Sequence, residues 1–238
     1  TKILKKNKIN VIFHLGAITQ VLDSLENPYK THKTNIMGTA NFLENIRSIN
    51  KKIIFIYSSS DKAYGELKKN SQYKETDPLD SVYPYDVSKS VSDLLCQSYS
   101  KTYLMKVGII RCGNIYGPGD FNFKRLIPEV ILSTIVGKNF VIRSNGKSTR
   151  DYVYVEDVVD AYIKLFKKLK SSKSKLKIYN VSSKFNYSVI KIVKMILKIM
   201  NKENLKPIVL NNSKQELNFQ RLNYSKIQRE LKWKPKTN

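Results

Sequence analysis

Short apolar runs alternate with segments of helical periodicity along the first half of the chain. The runs are Val11–Leu15, Ile53–Tyr57 and Val107–Ile110. Each is short and continuous, which is typical of a strand buried on both faces of a parallel sheet. Between the runs, 28–50 and the segment that begins at Pro84 carry apolar residues at helical spacing. The alternation of strands and helices predicts a doubly wound α/β sheet.

The second half of the chain differs, because glycines and polar residues interrupt it more often. A loop with several glycines occupies 113–119, and a lysine-rich connector occupies 170–177. The elements predicted around these loops are helices at 126–136, 155–169, 188–200 and 225–233, and a strand at 178–181. Ser188 is expected to cap its helix, since a serine hydroxyl can accept a backbone N–H there. The tail helix is expected to stop before Pro235.

The chain is strongly basic, with 43 Lys and Arg against 19 Asp and Glu and a formal net charge of +24. A basic surface attracts polyanions. The lysines are scattered among Ile and Asn instead of being gathered with aromatic residues, which favours solvated lysine faces over a nucleic-acid surface. The sequence contains no apolar run long enough to predict a membrane span. Its two cysteines, Cys96 and Cys112, favour a reducing cytoplasm and predict neither a disulfide framework nor a metal site.

Tyr85 and Lys89 form the strongest local chemical signal. They stand at i and i+4, so on a helix both side chains lie on one face. An ammonium group beside a phenol favours the phenolate and lowers the phenol's pKa. This pairing predicts Tyr85 as a proton acceptor near neutral pH. Alone, the spacing also fits a surface pair on a helix, because the chain contains 15 tyrosines and many lysines.

A serine cluster precedes this helix, at the carboxyl end of a predicted strand. It reads Ser58-Ser-Ser-Asp-Lys-Ala-Tyr-Gly65. In open α/β sheets, ligands bind beyond the carboxyl ends of the strands. A serine hydroxyl there can hydrogen-bond a substrate oxygen, and Asp61 with Lys62 adds an acid and a base, although this pair alone also fits an exposed turn. The order of serine cluster, Tyr85 and Lys89 along the chain predicts a catalytic crevice.

From Val11 to Pro235 the chain resembles the extended short-chain dehydrogenase/reductases that act on nucleotide sugars. The motifs that carry the resemblance are Phe13–Ala17, Asn35–Thr39, Ser58–Gly65, Tyr85–Lys89, Arg111–Pro118, Arg125–Pro128, Arg150–Asp157 and Leu231–Pro235. The resemblance implies a Rossmann-type parallel sheet at 1–115 and 148–204 that binds NAD, with NADP as the alternative. It also implies a smaller, interleaved lobe at 116–147 and 205–238 that binds a nucleotide-diphosphate sugar.

The resemblance also implies roles for individual residues. The catalytic hydroxyl, the base and the lysine that binds the cofactor's ribose are Ser60, Tyr85 and Lys89. The cofactor-binding positions include Gly16 and Ala17, with Asn35 supporting the site from its helix. The implied substrate-binding positions are Asn114, Leu126, Ile127 and Arg150. Arg150 suits a diphosphate because its planar guanidinium donates in pairs, and the simpler alternative is a salt bridge with Asp151 or Asp157.

Two features depart from the family pattern. The family opens with a strand and a glycine-rich turn that cradles the cofactor's pyrophosphate, and this turn is not in the sequence. Since Val11–Leu15 resembles the family's fourth strand, we expect the first three strands to lie outside an N-terminally truncated sequence. The second departure is Asp61-Lys62 directly after the catalytic serine, which resembles CDP-glucose 4,6-dehydratases and the inverting UDP-N-acetylglucosamine dehydratases.

We therefore expect a nucleotide-sugar 4,6-dehydratase. The alternative enzyme is a 4-epimerase, which needs Ser60, Tyr85 and Lys89 but neither Asp61 nor Lys62. A further alternative is a non-catalytic member of the fold that binds RNA or a partner protein, which the basic charge favours and the intact catalytic residues oppose. The resemblance also implies a homodimer, in which the helices at 28–50 and 84–104 pair across the interface.

Overall fold

The structure is a computed structural model, and it describes residues 2–68, 71–212 and 217–237. Its strands are β1 (Val11–His14), β2 (Ile54–Ser60), β3 (Val107–Cys112), β4 (Asn114–Tyr116), β5 (Val141–Ile142), β6 (Thr149–Tyr154), β7 (Leu176–Val181), β8 (Asn186–Ser188) and β9 (Ile208–Val209). Its α-helices are α1 (Lys2–Lys6), α2 (Val21–Glu26), α3 (Pro28–His32), α4 (Gly38–Ile49), α5 (Pro84–Tyr103), α6 (Leu126–Ile135), α7 (Val155–Ser171), α8 (Val189–Ile199) and α9 (Ser225–Leu231).

Four parallel strands form the main sheet, in the order β1-β2-β3-β7. Side chains of β2 alternate between its two faces. Ile54 and Ile56 pack with residues of α7 and α9, whereas Phe55 and Tyr57 pack with residues of α4 and α5. Helices on both faces explain the continuous apolar run, because neither face of the strand meets water. The predicted doubly wound α/β sheet is confirmed.

Strand β2 extends three residues beyond the predicted run. Its polar end, Ser58–Ser60, pairs in parallel with Ile110–Cys112 of β3. Serine is not a strong strand former, so the extension is decided by the hydrogen bonds that the neighbouring strand offers. The extension carries Ser60 to the carboxyl edge of the sheet.

The single helix predicted at 28–50 consists of three segments. A π-helical turn, Lys33–Met37, separates α3 from α4. Such turns insert one residue into the helical ladder and are frequent at functional sites. This one contains Asn35, whose side chain is buried.

The second half of the chain builds two smaller sheets, with the orders β4-β6-β8 and β5-β9. The predicted helices there are confirmed as α6 to α9, and the Ser188 hydroxyl caps α8 by accepting the Lys191 N–H at 3.4 Å. A separate apolar core joins residues of α6, β5 and α8 with Phe140, which directly precedes β5. Its buried members are Val130, Phe140, Ile142, Val193 and Leu197.

The division into a sheet domain and a lobe stays a prediction. Helix α8 lies within the segment 148–204 predicted for the sheet domain, although it packs with α6 of the predicted lobe. The predicted lobe segment 205–238 also includes residues 213–216 and 238, which lie outside the described residues.

The C-terminal segment is anchored on the start of α7. The Trp233 indole is fully buried and donates to the Asp157 carbonyl at 2.9 Å. The Asp157 carboxylate accepts the backbone N–H groups of Lys236 and Thr237, each at 3.0 Å. These contacts hold the end of the chain against the sheet. Across the described ranges, we find no helix with the length and apolarity needed to cross a bilayer.

Candidate active site

A cleft of about 1020 Å³ opens between the main sheet and α6. It begins at the carboxyl ends of β2 and β3, where the parallel-sheet rule places ligands. Its lining includes all of the predicted catalytic and substrate-binding residues, which are Ser60, Asp61, Lys62, Tyr85, Lys89, Asn114, Leu126, Ile127 and Arg150. The fold therefore brings together residues that are up to 90 positions apart in the sequence.

Ser60 and Asp61 are held by a short 3₁₀ turn, Asp61–Tyr64, that follows β2. The Ser60 hydroxyl donates to Asp61 Oδ1 at 2.9 Å and accepts the Lys62 backbone N–H at 3.2 Å. Burial raises the pKa of Asp61, and the charge of Lys62 and the Ser60 hydrogen bond oppose that rise. A raised pKa favours a protonated carboxyl, which is the form that a general acid needs.

Tyr85 occupies the first turn of α5, directly after Pro84. The phenol is buried, and burial followed by the negative charge of Asp61 raises its pKa, while the Ser60 hydroxyl acts in the opposite direction. The expectation of a lowered pKa for Tyr85 is therefore wrong. The physical reason is that desolvation of the phenolate outweighs the favourable contacts.

Lys89 lies one turn further along α5 and is 4% exposed. Its ammonium donates to the Ser58 carbonyl at 2.8 Å and lies 5.3 Å from the centre of the Tyr57 ring. Burial lowers the pKa of Lys89 to about 8. The strand end that carries Ser60 and the helix that carries Tyr85 are therefore joined through Lys89.

Asn35 connects the loop after β1 to α5. Its amide donates to the Ile18 carbonyl at 3.0 Å and to the Ser88 hydroxyl at 2.8 Å, and its carbonyl accepts the Ile18 N–H at 2.8 Å. The predicted role of Asn35 in supporting a cofactor site stays a prediction. The three hydrogen bonds fix the loop that contains Gly16 and Ala17 against the helix that contains the candidate base.

The loop after β1 offers an open surface at the edge of the cleft. A Cβ atom added at Gly16 meets no atom within 4 Å. The neighbouring Leu15 and Thr19 belong to the lining together with Ser58 and Lys89. An exposed glycine, a backbone loop and a lysine at the end of a parallel sheet suit the ribose and nicotinamide portion of a dinucleotide.

The substrate-side residues come from three elements. Asn114 is exposed at the start of β4, and Leu126 and Ile127 begin α6. Arg150 lies on β6 and is 5% exposed, and its Nη1 atom donates to the Thr149 carbonyl at 2.8 Å and the Asn218 carbonyl at 3.5 Å. These bonds orient the guanidinium at the cleft wall.

Asp151 and Asp157 were the simpler partners expected for Arg150. Both carboxylates accept hydrogen bonds from other groups. Asp151 accepts from the Ser182 hydroxyl at 2.6 Å, the Asn186 amide at 2.9 Å and the Leu222 N–H at 2.7 Å. The Asp157 carboxylate accepts the two backbone donors of the C-terminal segment described above. Both acids therefore have identified structural functions that do not involve the cleft.

Two acidic residues of α5 were not anticipated from the sequence. Asp93 pairs with Arg111 of β3 at 2.9 Å, and both side chains are buried. Asp86 follows Tyr85, is 1% exposed, and has a pKa raised to about 6 by burial. The sequence feature that could have identified Asp86 is its place in the first turn of the helix that also carries the candidate base.

Within the described residues, no three His, Cys, Asp or Glu side chains form a cluster that could hold a metal ion.

Known proteins are similar to this chain in sequence. A dTDP-D-glucose 4,6-dehydratase of Dictyostelium discoideum is 32% identical over 207 residues, which are 83% of this chain and 46% of that protein. A dTDP-glucose 4,6-dehydratase of Xanthomonas campestris is 28% identical over 253 residues, covering 99% of this chain and 70% of that protein. The chain thus spans about half the length of the Dictyostelium relative.

Solved structures are similar over nearly the whole chain. The UDP-glucose 4-epimerase of Thermotoga maritima, solved with UDP-glucose, has a TM-score of 0.90 at 26% identity, covering 100% of this chain and 75% of that one. The dTDP-glucose 4,6-dehydratase of Bacillus anthracis, in complex with NAD, has a TM-score of 0.85 at 25% identity, covering 99% of this chain and 70% of that one.

The family model described as GDP-mannose 4,6 dehydratase matches residues 1–238. This match, the two dehydratase relatives and the two solved structures confirm the resemblance to extended short-chain dehydrogenase/reductases of nucleotide sugars, and they agree with the parallel sheet and the cleft at its carboxyl edge. The chain belongs to the GDP-mannose 4,6-dehydratase family.

Proposed function

We propose that the protein is an NAD-dependent nucleotide-sugar 4,6-dehydratase. The observation that carries the proposal is the acid beside the serine: Asp61 accepts the Ser60 hydroxyl at 2.9 Å, in the same cleft as Lys62, Tyr85 and Lys89. Dehydration needs an acid and a base in addition to the groups that oxidise an alcohol. Asp61 is the proposed acid and Lys62 the proposed base.

In the first step, Tyr85 would take the proton of the sugar's C4 hydroxyl as C4 is oxidised, which leaves a 4-keto sugar. Bound NAD supplies the hydride acceptor in this step and the hydride donor in the last one. Ser60 donates a hydrogen bond to the C4 oxygen. Lys89, one turn further along the same helix, is proposed to bind the ribose of the cofactor.

In the second step, the ketone acidifies the C5 proton, and the amine of Lys62 removes it. Asp61 donates a proton to the C6 hydroxyl, which leaves as water, so the C5–C6 bond becomes double. Reduction at C6 and return of a proton to C5 would then give a 4-keto-6-deoxy sugar. Burial of Asp61 supports its role, since the pKa of its carboxyl is raised toward the protonated form.

The cofactor assignment rests on the loop after β1 and on Lys89. Gly16, Ala17 and Lys89 would contact the nicotinamide and ribose portion, with Asn35 holding the loop. The glycine-rich turn for the pyrophosphate is not part of this sequence, so NAD binding is a property proposed for the whole protein. NADP is the alternative cofactor.

The substrate is proposed to be a nucleotide-diphosphate sugar. Asn114 and Arg150 supply donors for the diphosphate from two neighbouring strands, β4 and β6, which pair in parallel. Leu126 and Ile127 add an apolar wall at the start of α6. The Asp61-Lys62 pair supports a CDP-hexose or an amino-sugar nucleotide as the substrate.

The competing function is a nucleotide-sugar 4-epimerase, which the similarity to the Thermotoga maritima epimerase favours. The test is incubation of the full-length protein with CDP-, UDP-, dTDP- and GDP-hexoses. We expect a 4-keto-6-deoxy product, detected by mass as the loss of one water. A hexose inverted at C4 with unchanged mass would establish the epimerase instead. Salt-sensitive RNA binding without any turnover would support the non-catalytic alternative.

We further propose a homodimer in the cytoplasm. Tyr29 of α3, Leu94 of α5 and Leu104 at its end are 77%, 51% and 64% exposed, and Met37 lies between α3 and α4 at 54%. These apolar side chains support pairing of the same two helices from each protomer. Sedimentation of the full-length protein tests this: Leu94→Glu should convert a dimer to a monomer.

A further inference from the structure

Asp86 follows the candidate base in the first turn of α5, and none of the proposed steps uses it. Its side chain is 1% exposed. Its Oδ1 atom has no hydrogen-bond partner among the described residues. If the carboxyl ionises, its Oδ1 atom loses its hydration without gaining a hydrogen bond, which costs stability. A purely structural role therefore does not explain an acid at this position.

Charged groups act on Asp86 from two other elements. Lys62 and Asp61 act on it from the 3₁₀ turn, and Arg150 acts on it from β6. On α5 itself, its neighbour is Tyr85, whose phenolate it disfavours. Lys62 has the largest attractive effect on the carboxylate. Because Lys62 also lines the cleft, Asp86 is connected to the reaction site through Lys62.

We propose that Asp86 is a positioning residue for Lys62: its unpartnered Oδ1 atom receives the Lys62 ammonium and holds that side chain beside C5 of the sugar. The proposal rests on the dehydratase function proposed above. Lys62 is half-buried and has a flexible four-carbon stem, so it can turn between the cleft and the carboxylate.

The ionisation of Asp86 fits this role. Burial raises its pKa to about 6, while Lys62 and Arg150 lower it and Asp61 raises it further. At pH 8 the carboxyl is ionised and can accept the ammonium. Below about pH 6 it becomes neutral, and it then holds Lys62 more weakly. The electrostatic pull of an ionised partner keeps an amine protonated to higher pH.

The first experiment compares Asp86→Asn with the unchanged full-length protein from pH 5 to 9. The substrate is whichever of CDP-, UDP-, dTDP- and GDP-hexose the unchanged protein converts, and the signals are product formation and exchange of the C5 proton with deuterated solvent. We expect kcat to fall about tenfold with little change in KM, because one positioning contact is lost. We also expect the acid limb of the exchange profile to move about one pH unit lower.

The matched control is Asp80→Asn, which neutralises an exposed acid in the loop before α5. It should leave both signals unchanged. In a Lys62→Met background, Asp86→Asn should have no further effect on C5 exchange, because the two residues act as one unit. An unshifted pH profile, or an equal loss in the Lys62→Met background, would overturn the proposal.

Thermal stability separates this proposal from the reaction itself. The folded-state pKa of Asp86 lies above its usual value, so stability falls as the pH rises from 3.8 to about 6, and the neutral amide avoids this cost. Asp86→Asn should therefore melt about 2–4 °C higher than the unchanged protein at pH 8, and at the same temperature at pH 4. Lower stability at pH 8 would make Asp86 structural. Failure of the unchanged protein to form a 4-keto-6-deoxy product would contradict the proposed function alone, since the melting comparison still tests Asp86.

Discussion

Asp93 and Arg111 form a buried ion pair with two parallel hydrogen bonds, from Arg111 Nε and Nη2 to the two carboxylate oxygens, each at 2.9 Å. The side chains are 0% and 2% exposed. The pair joins α5 to β3, two turns along the helix from the candidate base. The same guanidinium donates to the Tyr64 hydroxyl at 2.8 Å at the end of the 3₁₀ turn, so it fixes both elements that carry the predicted catalytic groups.

Asp93→Ala should destabilise the protein by about 3–5 kcal/mol, because it leaves a buried guanidinium without its counterion. The measurement is chemical denaturation at neutral pH. The matched control is Asp160→Ala on α7, which removes a half-exposed pair with Lys164 at 3.7 Å and should cost about 0–1 kcal/mol. Similar losses in the two variants would contradict the structural importance assigned to the buried pair.

Asn35→Leu should weaken cofactor binding before it affects folding. The substitution removes three hydrogen bonds that hold the loop at Ile18 to Ser88 of α5. We expect the dissociation constant for NAD to rise about tenfold, measured by calorimetry on the full-length protein, because a loosened loop must be ordered on binding. Asn41→Leu, at an exposed position of α4, is the control and should leave binding unchanged.

Lys62→Met should separate oxidation from elimination. Tyr85 and Lys89 remain, so we expect C4 oxidation to persist, seen as absorbance of the reduced nicotinamide in a single turnover. Loss of the base should reduce C5 exchange by about 10²–10⁴-fold. Tyr85→Phe should abolish both signals. Normal exchange in the Lys62→Met variant would assign the C5 base to another residue.

Lys89→Met should stabilise the protein most at neutral pH. Burial lowers the folded-state pKa of Lys89 from 10.5 to about 8, so between these values the unfolded chain binds more protons and stability rises with pH. The gain from Lys89→Met should be about 1–3 kcal/mol at pH 7. It should shrink as the pH rises from 8 toward 10.5, in denaturation curves recorded at each pH. A gain that does not change with pH would show that Lys89 is not desolvated.

Local chemistry in the sequence was sufficient to predict the main sheet and its helices. Ile53–Tyr57 is a continuous apolar run because helices cover both faces of β2. Strand β6 was not predicted, because Arg150 and Asp151 occupy it and polar residues hide its periodicity. Asp151, for example, is buried because it accepts hydrogen bonds from Ser182 and Leu222, which are distant in the sequence. A local sequence pattern does not reveal such distant partners.

The sequence by itself determined which candidate catalytic groups the chain contains. Ser60, Asp61 and Lys62 are contiguous, and Tyr85 with Lys89 has the spacing of one helix face, so short-range geometry was enough to group them. Tertiary structure decided their ionisation. Tyr85 has a raised pKa because the fold buries it near Asp61, and Asp86 becomes a candidate positioning residue because the fold buries it near Lys62. Desolvation depends on everything that surrounds a group, and most of those surroundings are distant in the chain.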